Sequence, residues 1–174
     1  MNINDKTISG NGRLKFNIPK SKLERVLGIV YLLVTIIMWV YLIATWNDLP
    51  LKIPKHFGIS GKPDSWGGRG SLLMLPIIQT IFYVFFIVLS KIPQYYNYVV
   101  TITEENAARQ YLSSRMLLTF VFTEISVAFL FLQWQSVQVA FSRANGLGIW
   151  FLPVFLTVLF VTIGISIYRM VKLK

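Results

Sequence analysis

The chain has 174 residues, 55% of them hydrophobic, a mean hydropathy of +0.59 and a formal net charge of +10. It has no cysteine, which excludes disulfides, thiolate catalysis and cysteine-built zinc sites. So much apolar surface fits a membrane protein better than a soluble domain of this size. The basic residues mostly flank the apolar runs, so anionic lipid headgroups, and not nucleic acid, are their simplest partner.

Residues Met1–Gly12 are polar with little periodicity and are expected to be poorly ordered. Arg13–Arg25 mixes basic and apolar side chains. Phe16, Ile18 and Leu23 can dip into the headgroup layer while the lysines meet phosphates, although a flank that sets topology is the plainer reading. Four apolar runs follow, Val26–Thr45, Leu72–Leu89, Met116–Trp134 and Ile149–Ile167. At about 1.5 Å per residue each is long enough to cross a hydrocarbon core of about 30 Å, and none keeps the polar face of a soluble helix. The first has too long an apolar core for a cleaved signal peptide and is expected to stay as an anchor. The expected fold is an all-α membrane protein of four transmembrane helices with an ordered extracytoplasmic loop between helices 1 and 2. Its parts are a basic N-terminal segment (1–25), a single four-span domain (26–168, outer loop 47–71) and a basic tail (169–174).

Charge sets the orientation. Lys6, Arg13, Lys15, Lys20, Lys22 and Arg25 precede the first run; Lys91, Arg109 and Arg115 lie between the second and third; Arg169, Lys172 and Lys174 end the chain. The other side holds only Lys52, Lys55, Lys62, Arg69 and Arg143. The positive-inside rule then places both termini in the cytoplasm of a cell membrane crossed several times, with the first loop outside.

That loop, Leu49–Ser71, is too long to be a simple turn, and loops beyond about 12–15 residues without regular structure are commonly functional. Pro50 and Pro54 hold the residues before them extended, Gly58–Gly61 permits a tight reversal, Lys62–Ser65 suits a second turn and Ser71 suits an N-cap for the second span. Ile53, Phe57 and Ile59 give the loop apolar side chains to bury, so it is expected to fold back over the span ends as a cap. Trp46 and Trp66 bracket it as interfacial anchors. Gly61-Lys62 is no phosphate loop, because Pro63 stands where Ser or Thr must hold magnesium.

The candidate ligand-binding residues here are His56, Phe57, Pro54, Asp64 and Trp66. His56 is the only histidine. It could accept a proton or sense pH, but bonding the loop's own backbone is the plainer role. Only Asp48, Asp64 and Glu124 could join it on a metal, and no spacing supports that, so neither a metal nor a cofactor is expected.

Leu49-Pro50-x-x-Ile53-Pro54-x-His56-Phe57-Gly58, followed by Gly61-Lys62-Pro63-Asp64 and Trp66-Gly67, resembles the signature of a bacterial membrane family catalogued as domain of unknown function 1648. A second stretch, Pro93-x-Tyr95-x-Asn97-Tyr98 and then Thr103-Glu104-Glu105-Asn106-Ala107-x-Arg109-Gln110-Tyr111, is similar to longer members of that family. The resemblance spans roughly the first three runs. It implies a small multi-span protein with this loop outside, and a relation to immunity proteins for the sporulation-delaying toxin, which contain the same domain. It assigns no activity.

Beyond the loop, Thr103 suits an N-cap with Glu104 and Glu105 in the first turn, so a helix should run straight into span three as a stalk. Glu124 is the one formally charged residue inside an apolar run. An ionised carboxylate at such depth costs about 2.5–3.5 kcal/mol on insertion scales. Helical spacing puts Ala128 and Gln135 on its face, and Gln79, Tyr83, Thr157 and Thr162 are its available partners in other spans. It either couples a proton or ion, or joins two helices by a hydrogen bond.

Binding is the favoured role: a receptor, immunity or accessory protein that meets a peptide or protein partner at its outer loop. A proton- or ion-coupled carrier using Glu124, which with four spans would need a homo-oligomer, is one alternative. A membrane enzyme with His56 and Glu124 at its site is the other, and no catalytic template supports it.

Overall fold

The computed structural model describes residues 7–10 and 12–174. The expectation for Met1–Gly12 therefore lies largely outside the described residues. Within it, a two-residue strand β1 (Thr7–Ile8) pairs antiparallel with β2 (Leu14–Lys15).

Helix α1 (Lys22–Thr45) starts on a capping box: the Ser21 hydroxyl accepts from the Glu24 N–H, and the Glu24 carboxylate accepts from the Ser21 N–H. Its inward face, Tyr31, Val34, Thr35, Met38 and Leu42, repeats every three or four residues. A 3₁₀ turn, Arg69–Leu73, leads into α2 (Met74–Leu89), and Pro76 sits in the first turn of α2, where a missing N–H costs little. α3 (Ala107–Ala140) and α4 (Phe151–Lys172) complete the bundle. α1, α3, α4 and the continuous segment Arg69–Leu89, the 3₁₀ turn together with α2, are each long and apolar enough to cross a membrane.

α3 is the hub. It packs against α1, α2 and α4, whereas α4 rests mainly on α3. Its 34 residues span about 51 Å, so it outreaches the bilayer core, as a stalk continuing span three must. Thr103 accepts from the Asn106 N–H and Asn106 reaches back to the Thr103 N–H, a reciprocal cap one turn before the regular helix. Buried along α3 are Gln110, Ser114, Arg115, Thr119, Thr123, Ser126, Gln133 and Ser136. Serine and threonine hydroxyls there return to carbonyls of the preceding turn, and the Gln110 and Gln133 amide N–H groups donate to carbonyls of α4 and α1, while their Oε1 atoms are buried without a hydrogen-bond partner among the described residues. An aromatic layer of Tyr31, Tyr83, Phe86 and Phe122 fills the space between α1, α2 and α3.

The loop between α1 and α2 departs from expectation. It is a β-hairpin, β3 (Ile53–Phe57) against β4 (Pro63–Gly67), with the reversal at Gly58–Gly61. The second turn expected at Lys62–Ser65 is instead the start of β4: Pro63 is its first residue, a position where a strand needs no donor. Ser71 lies inside the 3₁₀ turn and caps nothing; α2 begins after Leu73 without a side-chain cap. Ile53 is fully buried with Leu42, Leu49, Leu72 and Val137, and Trp46 packs against that cluster. Ile59, expected to be buried, is 90% exposed, because the reversal carries it past the helix ends.

Candidate functional site

Three glycines fasten the hairpin tip. The carbonyl of Gly61 (φ +74°) accepts from the Leu147 N–H at 2.7 Å. A Cβ on Gly61 would lie 2.6 Å from the Gly148 carbonyl oxygen, and one on Gly146 would lie 2.1 Å from the Gly61 oxygen. Only bare backbone fits where the tip meets the α3–α4 connection. Gln135, at the hairpin end of α3, holds the same connection by donating to the Gly146 carbonyl.

Beneath this clip is a cavity of about 420 Å³. Pro54, His56 and Phe57 of the hairpin roof it, and side chains such as Leu75, Leu132 and Phe155 from α2, α3 and α4 form its largely apolar walls. His56 is at its rim, and its Nδ1 is 2.6 Å from Oδ1 of Asp64, which does not itself line the cavity; the two side chains are 69% and 51% exposed. The partner of His56 is thus a carboxylate across the hairpin, not the loop backbone. The register explains the pairing: β3 carries one extra residue at Lys55 and β4 one at Asp64, so two offset bulges bring the eight-residue separation together. A carboxylate only accepts, so Nδ1 carries the proton and Nε2 remains as an acceptor in the neutral ring. Trp66, half exposed on β4, does not line the cavity.

The intramembrane polar residues do not converge on one place. Gln79 bridges three helices: its Nε2 donates to Thr35 on α1 and Ser126 on α3. Glu124 accepts from the Thr162 hydroxyl of α4 at 2.6 Å through Oε1, while Oε2 is buried without a hydrogen-bond partner among the described residues. Glu124 lies in a second, apolar groove of about 440 Å³ between α1, α3 and α4. Ala128, Phe151 and Phe155 line both spaces, forming an apolar wall between them. His56 and Glu124 therefore face different compartments.

Sequence reasoning missed the deepest charged contact. Arg115 donates to both carboxylate oxygens of Glu24, at 2.5 and 3.3 Å, with side-chain exposures of 6% and 2%. It also donates to the carbonyls of Ile18 and Pro19. The available signal was the Ser21-x-x-Glu24 capping box before an apolar run. Nearby, outside the spans, burial pushes the Tyr96 phenol up to about 12, with the Arg115 charge opposing, and also raises Tyr98.

The architecture is that of a small multi-pass helical membrane protein. Residues 33–80, from mid-α1 through the hairpin into α2, match the model of a family described as Domain of unknown function (DUF1648). Over 56 residues the chain is 36% identical to an uncharacterized protein of Archaeoglobus fulgidus, a match covering 32% of this chain and 31% of that relative. Neither match names an immunity protein. No solved structure matches the chain.

Proposed function

We propose that this is a binding protein of the cell membrane, in which the hairpin and the outer ends of α2, α3 and α4 enclose a site for an apolar segment of an envelope peptide or protein. The cavity under the hairpin carries this reading: about 420 Å³ with mostly apolar walls and a few polar side chains, among them His56, Ser71 and Ser136, the build of a site that holds an apolar group and orients it by a few polar contacts. β4 adds support, since among the described residues its edge away from β3 has no partner strand, and an extended peptide can join it. The basic residues support an outward-facing hairpin. His56 and Glu124 lie in separate compartments, which weighs against an enzyme that uses both.

Photo-crosslinking in native membranes tests this. A photoreactive residue replacing Phe57 should trap a discrete peptide or protein adduct, and Leu132→Trp, which fills the cavity, should abolish it. A control probe at Ile165, exposed on α4, should trap lipid only. The same lipid adducts from both positions would contradict the proposal.

A further inference from the structure

At the other end of the bundle the chain builds a second, differently charged cavity. Residues 13–19 form a strap across the foot of the helices. Arg13 fixes one end, donating to the carbonyls of Gln94 and Tyr96 with its guanidinium over the Tyr98 ring. Arg115 fixes the other through the Ile18 and Pro19 carbonyls. Between the strap and the end of α2 lies a space of about 570 Å³.

Its polar lining includes Lys15, Lys20, Lys91 and Arg115. The carboxylate paired with Arg115, that of Glu24, also accepts from the Ser21 N–H and does not line the cavity. Among the described residues no carboxylate pairs with Lys15, Lys20 or Lys91. Three cations thus face one cavity uncompensated. The carbonyl end of α2, which would repel an anion, is covered: the Ser90, Lys91 and Ile92 N–H groups and the Ser90 and Tyr96 hydroxyls donate to its last carbonyls.

We infer that this cavity binds the phosphate of an anionic phospholipid headgroup. Depth favours a lipid over free phosphate. Lys20 lies two residues before α1 and Lys91 two residues after α2, so the lysines stand at the level where the spans end and headgroups begin. Phe16, Ile18 and Pro93 complete the lining with an apolar wall suited to the glycerol and upper acyl region.

The test uses the whole protein in nanodiscs of phosphatidylcholine with or without phosphatidylglycerol, with the lipids that stay bound on release counted by native mass spectrometry. The wild-type protein should retain phosphatidylglycerol selectively. The triple variant Lys15→Gln/Lys20→Gln/Lys91→Gln should lose that retention by roughly a hundredfold. All three lysines are exposed, so folding should survive. The charge-matched variant Lys52→Gln/Lys55→Gln/Lys62→Gln should keep it. Equal loss in both triple variants, or no preference for phosphatidylglycerol in the wild type, would overturn the inference. So would inorganic phosphate displacing the lipid at millimolar concentration, since free phosphate would then be the better ligand.

Discussion

The two ends of this bundle fasten an irregular segment to helix termini by opposite means. At the hairpin end the join is backbone on backbone: Gly61, Gly146 and Gly148 meet without side chains and leave an apolar cavity below. At the strap end the join is charge on charge and charge on carbonyl, through Arg13 and through the buried Arg115–Glu24 pair, and it leaves a cationic cavity. A glycine contact tolerates no added atom. A buried ion pair tolerates replacement of both partners far better than loss of one.

That contrast can be broken from either side. Arg115→Met should have the largest effect, about 3–5 kcal/mol, because it strands the Glu24 carboxylate in a buried site and frees two strap carbonyls. Thermal unfolding in detergent should show the loss, and trypsin should cut the strap faster. Adding Glu24→Gln should restore part of the stability. At the hairpin end, Gly146→Ala should cost about 3 kcal/mol, since the clashing atom is a carbonyl oxygen that no side-chain rotation can move. Gly12→Ala is the comparison: it shares a positive φ but meets nothing within 4 Å, so only about 1 kcal/mol of backbone strain should appear.

The strap end should also be the alkali-sensitive one. The Tyr96 phenol is raised in the fold, to about 12, against an ordinary value of about 10. Its contribution is complete below pH 10 and is lost as pH rises through 12, because the unfolded chain gives up the proton first. By pH 12 the loss should be roughly 2 kcal/mol. Unfolding followed with phenolate absorbance should show it, and Tyr96→Phe should remove the corresponding step. Between the two ends, Gln79→Leu should cost only about 1 kcal/mol, the scale of hydrogen bonds between membrane helices. Asp64→Asn should change stability by under about 1 kcal/mol, because its pair with His56 is solvent-exposed.

The helices were legible in the sequence because each depends on a local property. The apolar runs mark all four helices, but α3 begins at Ala107, so Glu104 and Glu105 precede its first turn instead of sitting in it. The hairpin was not legible. Pro54, Pro63 and five loop glycines read as turns, and strands of five residues with a bulge each show no clean alternation. The same bulges hid the His56–Asp64 pair, since a regular register would not join those side chains. Arg115 and Glu24 are 91 residues apart, and the Ser21-x-x-Glu24 capping box announces the role of Glu24 at the start of α1 but not its partner. The partner of Glu124 was within reach, since Thr162 was among the hydroxyls available in other spans, but choosing it needs the packing of α4 on α3.

The proposed binding role requires the hairpin to face outward, where its cavity can meet an envelope partner. The chain has no cysteine, so Ser60→Cys at the exposed hairpin tip gives a single thiol. An impermeant maleimide should label it in intact cells. Labelling only after the membrane is permeabilised would put the hairpin on the inner face and contradict the account.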